Sequence, residues 1–237
     1  MPIPASHLLE KKFPDAETQA TTLATEISRR LTKSVSDRGI ATLAVSGGRS
    51  PIRLFQLLSE AEVPWLSVIV TLVDERWVEP TDDASNEKLV RENLLVGKAG
   101  AARFVALKNN EETPEKGVPV CHDRLAKMPF PFDIMVLGMG DDGHTASLFP
   151  HAPGLAQALN STRDELCAAV HPATAPHPRM TLTMRALQSS RWLVLPLQGE
   201  AKLKTFRMAM EDGPVEDMPV RAVLRQIAAP IEVWISR

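Results

Sequence analysis

Cysteine is almost missing from this chain: Cys121 and Cys167 are the only two in 237 residues, and neither has metal-ligand neighbours at a useful spacing. Such usage argues against a disulfide framework or a zinc site and fits a reducing cytosol. Long apolar runs are missing too. No stretch approaches the roughly 18 consecutive apolar residues of a membrane helix, and the N-terminal MPIPASHLLEKKFPD lacks the basic patch and apolar run of a secretory signal. Neither sign of charge dominates. With 27 basic against 29 acidic side chains the formal net charge is −2, which supplies no broad basic field for nucleic acid or an anionic membrane. Any anion held here has to be caught locally. Internal repeats, low-complexity tracts, a Walker loop, the dinucleotide fingerprint and a GxSxG elbow are all absent as well.

What remains is an ordinary globular composition, 44% hydrophobic and 24% charged, on a length that suits one α/β domain spanning residues 1–237. Asp15 caps an expected helix over 15–32, in which Leu23, Ile27 and Leu31 recur every four residues. IATLAVS (40–46) then reads as a strand buried on both faces, stopped by Gly47-Gly48, and SPIRLFQLLSE as a helix with Ser50 as cap and Pro51 in its first turn. The pattern repeats. Strands are expected at 67–73, 103–107, 132–138, 191–197 and 231–236, with helices at 85–95 (capped by Ser85), 118–128, 199–211 and 219–227. LCAAV is strand-like, and HPATAPHPRM (171–180) reads as a long loop. Strands alternating with helices predict a mostly parallel sheet covered on both faces, with ligands bound beyond the carboxyl ends of the strands.

The unusual loops fall at those ends. SGGRSP places Ser46, Gly47, Gly48 and Arg49 between a strand and a helix, where backbone N–H groups can meet an anion; the alternative is a tight turn with a solvated arginine. VDERWV releases Asp74, Glu75 and Arg76 together at a strand end, either as a solvated turn or as part of a site, while Asp82, Asp83 and Glu87 read as exposed charges. GMGDDGHTASLFP (138–150) carries His144 beside Asp141 and Asp142 on a glycine-rich loop, the setting of a group that takes and returns a proton near neutral pH. Leu148 and Phe149 read as anchors of that loop. His7, His122, His151, His171 and His177 are expected to be structural or merely exposed. Arg179 and Lys202 follow proline- and glycine-marked breaks and are candidate partners for an anion at Gly47-Gly48.

In this order SGGRSP, VDERWV with the later SN, GMGDDGHTASLFP, PRMTLT and GEAK closely resemble the 6-phosphogluconolactonase family, over roughly residues 15–236. The resemblance implies a modified Rossmann-like α/β fold shared with the sugar-phosphate isomerases, helices on both faces of a mostly parallel sheet. It also implies hydrolysis of 6-phospho-D-glucono-1,5-lactone to 6-phosphogluconate in the oxidative branch of the pentose phosphate pathway. Neither metal nor organic cofactor is implied. On that analogy His144 takes a proton from water and returns it to the ring oxygen, Asp142 supports the imidazole, and Arg76 steadies the oxyanion or holds substrate hydroxyls. Ser46, Gly47, Gly48, Asp74, Arg179 and Lys202 bind the sugar phosphate. Many relatives carry SGGSTP where Arg49 and Ser50 stand here, which leaves Arg49 between a phosphate contact and solvent, and the relative weight of Asp74 and Asp142 open.

The expected partner is therefore a small sugar-phosphate lactone, with no nucleic acid and no membrane, for a cytoplasmic monomer or weak homo-oligomer. Two rivals share the fold. A glucosamine-6-phosphate deaminase or isomerase continues its histidine loop toward AFNEP, whereas this chain has ASLFP and no acid there. A non-catalytic sugar-phosphate sensor needs a DNA-reading module, and no helix-turn-helix or basic surface is evident in the first 40 or so residues.

Overall fold

Residues 8–237 are described in the computed structural model. Seven strands form one sheet in the order β1 (Leu8–Phe13), β10 (Ile231–Ser236), β9 (Leu193–Gln198), β6 (Ile134–Val136), β2 (Ala41–Val45), β3 (Val68–Leu72) and β5 (Arg103–Val105). Every pairing within it is parallel. The uninterrupted apolar runs explain the central strands: β2, β3 and β6 are buried at every position, so both faces of the sheet are covered. Three further strands, β4 (Asp74–Arg76), β8 (Arg179–Leu182) and β7 (Cys167–Val170), make a small antiparallel sheet in that order. His7 lies outside the described residues.

The helices start where their caps dictate. Asp15 accepts from the Thr18 amide at 2.7 Å to open α1 (Ala16–Arg38), which buries Leu23, Ile27 and Leu31 and runs on to Gly39 at φ 78. Ser85 accepts from the Lys88 amide at 3.2 Å to open α3 (Asn86–Asn93). The expected Ser50 cap fails: α2 (Ile52–Ser59) follows Pro51 directly, without a side-chain cap. α4 (Pro114–Ala126) begins ahead of its expected start because Thr113 caps it and Pro114 takes the first turn. α5 (Leu155–Leu159) and α6 (Met184–Gln188) are too short to show a helical period, while α7 (Glu200–Met210) and α8 (Val220–Arg225) lie within their expected ranges.

Two readings change with the strand register. Asp74, Glu75 and Arg76 do not leave the sheet as a turn; they form β4, whose backbone pairs Asp74 with Thr181 and Arg76 with Arg179. The loop over 171–180 accordingly ends early, since Arg179 opens β8. The order of the large sheet sets the site. From β2 the chain goes to β3 on one side, then returns after β5 to β6 on the other, so the loops leaving β2 and β6 diverge and open a crevice between them.

Candidate active site

The crevice is a cavity of about 650 Å³ at the carboxyl ends of the strands. β2 delivers Ser46, Gly47 and Gly48 to its wall. A Cβ on Gly47 would stand 1.9 Å from Oδ1 of Asn86, so only glycine allows the turn to lie against the first residue of α3; Gly48 sits at φ +89. Arg49 is exposed and does not line the cavity, where Ser50 and Pro51 do.

β4 contributes the next wall. Asp74 is buried and accepts from the Ser147 hydroxyl at 2.6 Å. Glu75, beneath it, accepts from the amides of Arg76, Asn86 and Glu87, each at 2.7 Å, and from the Ser85 hydroxyl at 3.1 Å. It thereby satisfies the orphan N–H groups that open α3. Burial pushes the Glu75 carboxyl up, against the pull of those amides. Glu87, read from sequence as exposed, is buried because its amide joins Glu75 and its carboxylate holds Arg91 at 2.8 Å. Arg76 reaches the cavity with Nη1 on the Ala84 carbonyl, and its Nε has no hydrogen-bond partner among the described residues.

Opposite Arg76 in register, Arg179 is buried, its Nε donating to the His177 carbonyl at 3.2 Å and its Nη2 to that of Pro176 at 3.0 Å. Burial lowers its pKa from the ordinary arginine value, and the like charge of Arg76 adds to that. Two guanidinium groups facing one cavity form a place where an anion relieves repulsion. Lys202, on the first turns of α7, also lines the cavity, in an ion pair with Asp141 at 2.8 Å. Thr205 of the same helix donates to the Asp141 carbonyl at 3.2 Å and pins the loop there.

The 138–150 loop brings His144 into the same space. Its Nδ1 and its backbone amide both meet Oδ1 of Asp142, at 2.6 and 3.0 Å. Burial pushes the Asp142 carboxyl up, but these His144 contacts outweigh it and hold the group below the ordinary carboxylate range. With Nδ1–H donated to a carboxylate, Nε2 is the nitrogen left to accept a proton. Glycine is needed to fold the loop this tightly: a Cβ on Gly140 would fall 2.1 Å from the imidazole Nδ1, and Gly143 stands at φ +79 beneath Met218. TASLFP is not a helical turn but a bridged turn from Thr145 to Leu148 with Ala146 at φ 48. Leu148 and Phe149 are both buried in the core, as expected of anchors; Phe149 in addition lines the cavity and stacks on His144 with centroids 4.0 Å apart and planes at 24°.

Some cavity residues escaped the sequence reading. His177 is exposed, as expected, and stands at the cavity rim with φ 69. Asn86 donates to the Asp74 carbonyl at 2.9 Å, and the SN dipeptide was its only signal. Gln198 also lines the wall, its amide donating to the buried Gln19 at 3.1 Å across 179 positions, which local pattern does not reveal. Among the described residues no group of three or more His, Cys, Asp or Glu side chains could hold a metal ion, and no helix is long and apolar enough to cross a membrane.

Known proteins resemble this chain in sequence and in fold. A 6-phosphogluconolactonase of Rhizobium meliloti (strain 1021) is 41% identical over 222 residues, covering 94% of this chain and 96% of that one. One from Pseudomonas aeruginosa is also 41% identical, over 218 residues, or 92% and 90% of the two chains. The crystal structure of a 6-phosphogluconolactonase from Shewanella baltica superposes with a TM-score of 0.95 at 46% identity, covering 98% of this chain and 99% of that one. A monomeric glucosamine-6-phosphate deaminase, at 18% identity and a TM-score of 0.74, shares the fold. Residues 14–231 match the family described as glucosamine-6-phosphate isomerases/6-phosphogluconolactonase, and with the glycine turn, the acidic strand end and the histidine loop meeting at one crevice, it is to this family that the chain belongs.

Proposed function

We propose that this chain hydrolyses 6-phospho-D-glucono-1,5-lactone to 6-phosphogluconate, with His144 as the proton carrier. The observation that carries the reading is the imidazole tied at Nδ1 to Asp142, 2.6 Å away, in a cavity whose other walls hold Arg76, Arg179 and Lys202. Relatives of near-complete coverage that bear the lactonase name support the choice of substrate. A lactone is an activated ester, so the residues need only activate water, steady the oxyanion and protonate the leaving oxygen. Water attacks the lactone carbonyl as its proton passes to Nε2 of His144. The carbonyl oxygen takes up the negative charge beside Arg76. When the carbonyl re-forms, the bond to the ring oxygen breaks and that oxygen receives the proton from Nε2, giving the open-chain acid.

Asp142 stabilises the imidazolium formed between the two transfers and holds its tautomer. The phosphate, at the far end of the sugar, is held by the Ser46-Gly47-Gly48 turn with Arg179 and Lys202, and Asp74 accepts a sugar hydroxyl. Binding at that end places the carbonyl carbon over the imidazole. The deciding experiment compares acid release from the lactone, after subtraction of its spontaneous hydrolysis, with ammonia release from glucosamine-6-phosphate. Acid release alone is expected; ammonia release alone would assign the chain to the deaminases of its family. Binding of 6-phosphogluconate with neither reaction would make it a sensor.

A further inference from the structure

We propose that Phe149 is a positioning residue of this reaction: its phenyl ring sets the plane of the His144 imidazole. The inference rests on the reading of His144 as proton carrier. A histidine ring turns about a broad Cβ–Cγ torsion, and a single hydrogen bond does not stop it. The 2.6 Å contact to Asp142 fixes where Nδ1 lies but leaves the ring able to tilt about the line between nitrogen and oxygen. The phenyl ring at 4.0 Å, inclined by only 24°, removes that tilt. One contact fixes a direction and the other a plane, so together they aim Nε2.

Phe149 is itself held from beneath. It is buried, and its turn is fixed by Ser147, whose hydroxyl donates to Asp74 at 2.6 Å and whose amide donates to the Thr181 hydroxyl at 3.2 Å. Those two partners lie on β4 and β8, the strands that also carry Arg76 and Arg179. The Arg179 guanidinium reaches the same phenyl ring, its Cζ 5.7 Å from the centroid. The ring is thus a contact shared by the proton carrier and a cation of the opposite wall. Phe149 packs in the core beside the fully buried Leu148, so one residue both anchors the loop and faces the imidazole.

The test compares the parent with Phe149→Leu, which keeps an apolar side chain but no flat face, and Phe149→Tyr, which keeps the face. Steady-state kinetics on the lactone are paired with NMR of the His144 ring C–H signals, assigned by their loss in His144→Ala. Phe149→Leu is expected to lose about 10- to 100-fold in kcat with KM little changed, the scale of a misplaced reacting group, while Phe149→Tyr recovers most of it. The parental ring signals should lie upfield from the phenyl ring current and move back in the leucine variant. Parental kcat in Phe149→Leu, or parental His144 signals at unstacked positions, overturns the role. The second of these needs no Phe149 variant, only the His144→Ala assignment, and decides the matter if Phe149→Leu fails to fold. A parent inactive on the lactone overturns the lactonase reading and this inference together; an active parent matched by Phe149→Leu overturns this inference alone.

Discussion

At the scale of single residues, the proposed chemistry assigns some cavity groups to moving protons and others to holding charge, and substitutions should separate the two. His144→Ala is expected to lower kcat by about 10²-fold or more, the usual contribution of a positioned acid–base group, with KM nearly unchanged. Arg179→Ala or Lys202→Ala should act the other way, raising KM about tenfold or more, since a hydrogen bond to a charged group contributes roughly 1.5–3 kcal/mol. Michaelis–Menten curves for the three variants check both statements. Parental KM in both cation variants would remove them from phosphate binding. His144 and Asp142 were legible in sequence because the whole constellation sits within a few positions of one loop. Arg49 stays open in the sequence because its neighbours Gly48 and Ser50 are cavity residues while it is itself exposed, and a string of letters does not record direction.

Among elements, α3 depends on one carboxylate outside it. Glu75 gathers two amides and a hydroxyl at the helix start, besides the amide of Arg76, so Glu75→Ala leaves buried donors unpaired and is expected to cost about 1–3 kcal/mol in urea unfolding. Its activity should fall as well, because Arg76 and Asn86 hang from the same junction. Gly47→Ala is expected to displace Asn86 and weaken substrate binding, visible as a raised KM, since the added methyl overlaps the amide. Caps and apolar runs made most of these elements readable: Asp15, Ser85 and the stretch 41–45 each declared a boundary or a buried strand. β4 was not readable. Three charges in a row carry no apolar alternation, and only the partner strand β8, a hundred positions on, makes Asp74–Arg76 a strand.

Across the whole molecule, acid stability offers a separate test. Glu26 on α1 is lowered from 4.5 to about 2, chiefly by the hydrogen bond from Arg29, with burial opposing and Arg30 assisting. The fold therefore favours the ionised form. The resulting stability is fully present above 4.5 and is lost as pH falls from there toward about 2. Glu26→Gln should be less stable than the parent at neutral pH and should lose less on acidification, measured as urea midpoints across that window. Equal slopes would show that Glu26 does not carry this part of the acid response. At this scale the sequence was least informative. A parallel α/β sheet followed from alternation, but the position of β1 did not, because LLEKKF is half charged and lies at an edge where those charges meet water.

That edge has a kinetic meaning. β1 pairs with β10 across more than two hundred positions of chain, Leu8 beside Ile231 and Phe13 beside Ser236. During synthesis β1 leaves the ribosome long before β10 and must wait, without that sheet neighbour, until β10 has been made. The cavity that holds His144 is lined by residues on or just after β2, β4, β6, β8 and β9, so a nascent chain halted before β10 can already contain the strands of the crevice while its opposite margin is still open.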